Sequence, residues 1–160
     1  MNRIFAILLL WAAGSGMSIA SEQAANASIL GTWAVDTSKL PMPMEARPKR
    51  VTLSFSVAGP GLLSTVVEVI DPTGNRLVAA GDTPLDGTPT PVKSNFEADA
   101  SATTMPRPDV LIMQLGKDGH PTSTRIYTLN ADGASMIETV ATFGPNSQPV
   151  LRQNYFSRVR

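Results

Sequence analysis

The chain has 160 residues, with 13 basic side chains, 13 acidic side chains and no cysteine. This length predicts a single domain. The balanced charge argues against a nucleic-acid-binding protein, because such proteins carry a basic excess. The missing thiols exclude disulfide bonds, thiolate metal sites and a cysteine nucleophile.

The first part of the chain has the three-part layout of a secretory signal peptide. Arg3 supplies a positive start, residues 4–13 are an unbroken apolar run, and small residues precede a cleavage site after Ala20. Since a bilayer-spanning helix needs about 20 apolar residues, we expect cleavage rather than anchoring. The prediction is a signal peptide at 1–20, a disordered mature N-terminus at 21–28, and an exported protein of the periplasm or extracellular space with no membrane span after cleavage.

Proline and glycine divide the remaining chain into short runs that are typical of an antiparallel β-protein. Residues 51–57 show the clearest pattern, because apolar and hydroxyl side chains alternate along the whole run. An open meander exposes two edges and closure removes them. We therefore predict an all-β fold, an up-and-down antiparallel β-barrel of eight to nine strands. The other predicted strands are 29–36, 61–70, 75–81, 92–96, 109–115, 122–130, 134–143 and 150–159.

Two proline-rich stretches and one stretch without proline or glycine do not fit a simple meander. Residues 37–48 and 82–91 each contain three prolines. We expect both to be loops, the first of them crossing one end of the barrel. Residues 92–105 contain neither proline nor glycine, which leaves room for one short helix at most.

The tripeptide GTW runs from Gly31 to Trp33 on the first predicted strand. A G-x-W at this place in a barrel-length chain resembles the lipocalins and calycin-like proteins, and the wider pattern is similar to exported bacterial lipocalin-like proteins. The resemblance implies a lipocalin-like domain over 29–160. It also implies that Trp33 closes the barrel floor against a basic residue of the last strand, Arg158 or alternatively Arg160. The other interpretation is a core tryptophan, with Arg158 in solvent.

The interior of an eight-stranded barrel is either filled by side chains or holds one small ligand. Arg125 and Arg152 share strand parity with Tyr127 and Phe156, so they would offer an anionic group a partner if they point inward. Two functions stay open: binding of a small apolar or amphipathic molecule in the lumen, or a barrel with a filled interior that acts as an envelope-associated interaction module. The apolar residues that alternation places on a candidate ligand-lining face are Leu53, Phe55, Val57, Val67, Val69, Ile112, Tyr127, Met136 and Phe156.

No residue pattern in the chain indicates catalysis or a metal site. His120 is the single histidine, so the chain has no cluster of histidine metal ligands. It also has no recognisable catalytic motif in which a nucleophile is followed or preceded by a histidine. Met42 and Met44 carry thioethers, which suit copper(I), but methionine is more usual as adaptable packing under a loop. We expect no enzyme activity, no cofactor, no metal and no nucleic acid. A small hydrophobic ligand is the expected partner, and the sequence does not specify a protein partner.

Overall fold

Ten antiparallel strands form a single sheet in the computed structural model, which describes residues 28–93 and 97–159. Neighbouring strands follow the chain, and the first strand also pairs with the last. The predicted all-β, up-and-down antiparallel barrel is confirmed. The predicted signal peptide lies outside the described residues, as does most of the predicted N-terminal tail. The strands are β1 (Gly31–Val35), β2 (Arg50–Gly59), β3 (Leu62–Ile70), β4 (Arg76–Pro84), β5 (Thr90–Pro91), β6 (Ala100–Arg107), β7 (Val110–Lys117), β8 (His120–Leu129), β9 (Ser135–Phe143) and β10 (Pro149–Arg158).

The barrel has ten strands, so the predicted number of eight or nine is wrong. The sequence pattern does not predict β6, which overlaps the stretch 92–105 where there is room for one short helix. Its buried side chains include the hydroxyl residues Ser101 and Thr103, so the strand lacks the usual apolar signal on its inner face. The predicted strand at 92–96 is also displaced. Pairing with β6 occurs at β5 instead, within the stretch expected to be a loop, and 94–96 lie outside the described residues.

The seam of the barrel lies between β4 and the β5–β6 pair, which are the two ends of the sheet order. Ala80 and Lys93 exchange two backbone hydrogen bonds of 3.0 and 2.8 Å, and the hydroxyl oxygens of Thr83 and Ser101 lie 3.2 Å apart. These few bonds replace a full ladder, so the barrel is nearly closed. Within the ranges 28–93 and 97–159, no helix is long and apolar enough to cross a membrane.

The floor of the barrel is closed by large apolar side chains. Trp33 and Ile29 are completely buried, and the indole Nε1 of Trp33 donates a 2.8 Å hydrogen bond to the Ile29 carbonyl oxygen. The ring of Tyr127 meets the rings of Phe55 and Phe156 edge-on, at centroid distances of 5.3 and 6.3 Å. Such edge-to-face pairs are a preferred aromatic packing geometry, so this half of the interior is well filled.

The opposite end of the barrel is its mouth. There the chain between β1 and β2 forms two short 3-10 helices, Thr37–Lys39 and Met44–Ala46. The β3–β4 turn and the β9–β10 connection lie at the same end, because each strand reverses the direction of the one before it. The mouth is therefore surrounded by irregular segments, whereas the floor is sealed.

Candidate ligand-binding site

The residues expected to close the barrel lie together at its floor. Arg158 stands opposite Trp33 in the β1–β10 register, and its Cζ atom is 4.1 Å from the centroid of the tryptophan ring. Gly31 has a φ of +128°, and a Cβ atom there would lie 2.6 Å from Nη1 of Arg158. Arg160, the alternative partner, lies outside the described residues. The Arg158 guanidinium also donates three hydrogen bonds of 2.7 to 2.9 Å, to the carbonyl oxygens of Ser28, Leu30 and Gly133.

A cavity of about 290 Å³ opens at the mouth and reaches down to the rings of Tyr127 and Phe156. We call it the lumen cavity. Side chains from β1 to β4, and from the chain between β1 and β2, form one side of it. We call this side the apolar wall, because each of its described members is apolar. They are Val35, Leu40, Met42, Pro48, Val51, Leu53, Val67, Val69 and Leu77.

The facing side of the lumen cavity is formed by Glu97 and by strands β8, β9 and β10. Glu138 is only 2% exposed. Its carboxylate accepts hydrogen bonds from Nη1 of Arg125 at 3.0 Å and from Nδ2 of Asn154 at 2.6 Å. Arg125 also donates to the Glu97 carboxylate at 2.6 Å. We call this side the polar wall, and its polar members are Glu97, Arg125, Tyr127, Glu138, Arg152 and Asn154.

Burial and neighbouring charge fix the protonation of Tyr127 and Arg125 in the polar wall. Burial, followed by the negative charge of Glu138, raises the pKa of Tyr127 well above its ordinary value of 10.0. Burial would lower the pKa of Arg125, but the charge that Tyr127 carries once ionised and the charge of Glu138 outweigh burial and raise that pKa. At neutral pH the wall therefore presents a neutral phenol and a guanidinium cation that is already paired with carboxylates.

A second cavity, of about 170 Å³, shares Glu97, Arg125 and Arg152 with the first. Two buried polar atoms along it have no hydrogen-bond partner, namely Nε of Arg125 and the hydroxyl of Thr122. Arg152 is exposed at the mouth, and within the described part of the chain no carboxylate pairs with it. The exposed guanidinium of Arg152 is therefore available to a polar group of a ligand, whereas the two buried atoms are covered by neighbouring protein atoms.

The structure separates the predicted lining residues into three groups. Phe55 and Met136 are buried in the core and do not line the lumen cavity. Val57 is 68% exposed, beside a register shift between β2 and β3. Ile112 stands between the buried Leu111 and Met113, and alternation along the strand turns it to the outer face. The remaining predicted residues line the lumen cavity; they are Leu53, Val67, Val69, Tyr127, Phe156, Arg125 and Arg152.

Sequence analysis missed the two polar residues at the centre of the site. Glu138 lies two positions after Met136, and Asn154 lies two positions before Phe156. Because side chains two apart on a strand share a face, both would have been found by extending the predicted inner face to polar residues. Only the apolar members of that face and two arginines were selected.

The other residues weighed for chemistry lie apart from one another. His120 is exposed. Met42 lines the lumen cavity, whereas Met44 is 80% exposed. Across residues 28–93 and 97–159, no three histidine, aspartate or glutamate side chains are grouped so that they could hold a metal ion.

The sequence matches no protein-family model and no curated protein. Among solved structures, the chain is similar to a point mutant of the fluorescent protein UnaG, at 15% identity and a TM-score of 0.53, over 88% of this chain and 99% of that one. Wild-type UnaG gives 15% identity and a TM-score of 0.49, over 82% and 97% of the two chains. The first likeness shows a calycin-like barrel fold, and at this identity it shows the fold alone.

Proposed function

We propose that this chain is an exported barrel that binds one small amphipathic molecule in its lumen and catalyses no reaction. The observation that carries the proposal is the lumen cavity of about 290 Å³, in which an apolar wall faces a polar wall. Ligand pockets usually measure about 300–1,000 Å³ and combine apolar lining with a few polar groups that orient the ligand. The second cavity, of about 170 Å³, provides further room beside the same arginines.

A filled barrel acting as an envelope-associated interaction module is the competing proposal. Close packing of this kind is present at the floor, where Trp33 and Phe55 are buried. Above the floor, however, side chains leave the lumen cavity of about 290 Å³ open between the apolar wall and the polar wall. Unfilled space inside the barrel is what distinguishes a barrel that binds a ligand from one whose interior is filled by side chains. This favours a barrel that binds a small molecule in its lumen over a filled interaction module.

A titration of the full chain with 1-anilinonaphthalene-8-sulfonate tests the lumen as a binding site. Val69→Phe adds bulk to the apolar wall, whereas Val66→Phe makes the same change at the 37% exposed position on the outer face of β3. We expect Val66→Phe to bind as the wild type does and Val69→Phe to bind at least about tenfold more weakly, a change of about 1.4 kcal/mol. Native mass spectrometry of the purified wild type would show a co-purified ligand directly. Equal binding by both variants, or no binding by the wild type, would overturn the proposal.

Export is a separate part of the proposal, and it is supported by the pattern of residues 1–20. Expression in a bacterial host, followed by cell fractionation and N-terminal sequencing, tests it. We expect Ser21 as the first residue of the protein in the periplasmic or secreted fraction. Folded protein that still begins with Met1 in the cytoplasmic fraction would exclude export.

A further inference from the structure

The two walls of the lumen cavity differ by the side of the barrel that supplies them. Each described residue contributed by β1 to β4, and by the chain between β1 and β2, is apolar. From Glu97 onward the contributors are polar, with the single exception of Phe156 among the described residues. Polarity therefore changes across the cavity, between the N-terminal and the C-terminal half of the chain.

Between the mouth and Tyr127, the polarity of each wall does not change with depth. The apolar wall runs from Met42 in the chain at the mouth to Leu53, which pairs with Trp33 in the β1–β2 register. The polar wall runs from Arg152 at the mouth to Tyr127, which packs against the buried rings of the core. A molecule with a polar head and an apolar tail needs polar groups at one end of its site and apolar groups at the other. In this cavity apolar and polar groups face each other from the mouth down to Tyr127, and only the bottom, at Phe156, is apolar on both sides.

The charges of the polar wall balance one another. The guanidinium of Arg125 is paired with Glu138 and Glu97 at 3.0 and 2.6 Å. Together with Arg152, the wall holds two guanidinium groups and two carboxylates, so its formal charge is zero. A charged group on a ligand would therefore meet side chains that are already ion-paired with one another, except at Arg152. Hydroxyl groups, in contrast, can both accept hydrogen bonds from the N–H groups of this wall and donate to its carboxylate oxygens.

We infer that the ligand of the lumen cavity is a facial amphiphile: a rigid molecule with neutral hydroxyl groups along one long side and hydrocarbon along the other. The inference rests on the proposed function, because it specifies the ligand of the same cavity. The hydroxylated side lies against the polar wall, where it reaches Arg125, Glu138 and Asn154. The hydrocarbon side lies against the valines of β2 and β3.

Two isomers of dihydroxynaphthalene test this inference, because they have the same atoms and the same ring system. The 1,8 isomer carries both hydroxyls on one long edge, and the 1,5 isomer carries them on opposite edges. Isothermal titration calorimetry of each isomer against the full chain, in buffer with ascorbate to prevent oxidation, measures the two affinities. We expect the 1,8 isomer to bind at least about tenfold more tightly, since the 1,5 isomer must bury one hydroxyl against hydrocarbon without a hydrogen bond.

Two near-isosteric variants, one in each wall, and one control on the outer face assign the difference in affinity between the isomers to the two walls. Val69→Thr places a hydroxyl on the apolar wall, so it should strengthen binding of the 1,5 isomer and narrow the difference between the isomers. Val66→Thr makes the same change on the outer face of β3 and should leave both affinities unchanged. Tyr127→Phe removes one hydroxyl from the polar wall and should weaken the 1,8 isomer more than the 1,5 isomer. Circular dichroism verifies that each variant retains the wild-type β-sheet signal.

The outcomes separate this inference from the function on which it depends. Equal affinities, or tighter binding of the 1,5 isomer, would overturn the facial amphiphile while leaving the lumen as a binding site. Binding of 1-anilinonaphthalene-8-sulfonate without binding of either isomer would also overturn the facial amphiphile and leave the lumen as a binding site. If the wild type binds none of the three compounds, the proposed function fails together with the inference.

Discussion

Arg158 lies over the indole of Trp33, with its Cζ atom 4.1 Å from the ring centroid, and the two residues are direct partners across the β1–β10 pair. The contact joins the first strand to the last at the sealed end of the barrel. A guanidinium within about 6 Å of a ring centroid is attracted by the negative face of the ring. The same guanidinium is held by three backbone carbonyls, so it fixes the chain on both sides of the indole.

A double-mutant cycle measures the coupling between these two residues. Trp33→Ala should lower the free energy of unfolding by about 3–5 kcal/mol, as truncation of a large buried aromatic does. Arg158→Ala should cost about 2 kcal/mol or more, because it removes charge-assisted hydrogen bonds as well as the stacking. We expect a coupling of about 0.5–2 kcal/mol from urea denaturation of the two single variants and the double variant.

The control for this cycle is Arg152→Ala, which lies six positions from Arg158 on the same strand, or roughly 20 Å along it. Its effect should add to that of Trp33→Ala within about 0.3–0.5 kcal/mol. Additive effects for the Arg158 cycle as well would mean that the observed stacking contributes nothing to stability.

Gly31 is the residue whose backbone makes room for this contact. Its φ of +128° is strained for any residue with a side chain, and a Cβ would lie 2.6 Å from Nη1 of Arg158. Gly31→Ala should therefore destabilise the barrel by about 1–3 kcal/mol. Gly59→Ala is the matched control, since a Cβ there meets nothing closer than 3.9 Å, and it should stay within about 0.5 kcal/mol of the wild type. Comparable urea midpoints for the two variants would contradict this interpretation.

Side-chain alternation predicted much of the fold, and its failures have identifiable causes. In β2 it gave the inner face correctly for Leu53 and Phe55, where hydroxyls alternate with apolar groups. In β7 both faces are apolar, so the pattern could not decide between Ile112 and its neighbours. In β6 the buried positions carry hydroxyls, and the strand was missed. Alternation groups the side chains of a strand into two faces. It identifies the inner face only where the two faces differ in polarity.

The sequence predicts only part of the candidate site, because alternation identifies the apolar lining residues but not the polar ones. The lining residues Val67, Val69 and Tyr127 stand on strands whose inner face is marked by apolar residues. The carboxylate of Glu138 is buried among them, and burial of a charge is not expected unless its partners are known. Those partners, Arg125 and Asn154, come from two other strands, so only the register of the sheet brings them together.

Glu138→Gln tests whether this buried cluster supports the barrel. The change keeps the shape of the side chain but removes the charge that faces Arg125, leaving a buried guanidinium without that partner. Because Arg125 keeps its ion pair with Glu97 at 2.6 Å, we expect a loss of about 1–3 kcal/mol in the free energy of unfolding. Glu68→Gln is the control on the outer face, where the carboxylate bonds Arg50 and Arg76 at 2.9 and 2.6 Å. Its effect should be much smaller and should shrink in salt. Equal losses would show that the cluster is no more important than a surface pair.

Tyr127 provides a test of the electrostatics of the polar wall at alkaline pH. Its pKa is raised well above the ordinary 10.0 by burial and then by the charge of Glu138. A group whose pKa is higher in the folded than in the unfolded state contributes stability that is fully present below the unfolded pKa. That stability is lost as the pH rises, because the unfolded chain ionises first. The free energy of unfolding should therefore fall above about pH 10, and it should fall less steeply in Tyr127→Phe.

A spectroscopic titration isolates this residue, because the chain has only two tyrosines. In the Tyr155→Phe variant the ultraviolet absorbance of tyrosinate reports Tyr127 alone. We expect no tyrosinate in the folded barrel near pH 10, and its appearance only when circular dichroism shows that the sheet unfolds. In urea the same variant should titrate near the ordinary value of about 10. The double variant Tyr155→Phe/Glu138→Gln should form tyrosinate in the folded barrel at a lower pH than Tyr155→Phe alone. The reason is that the charge of Glu138, one of the two causes of the raised Tyr127 pKa, is then absent. Tyrosinate that forms at pH 10 while the sheet signal is intact would mean that the phenol is accessible to solvent and that burial does not raise its pKa.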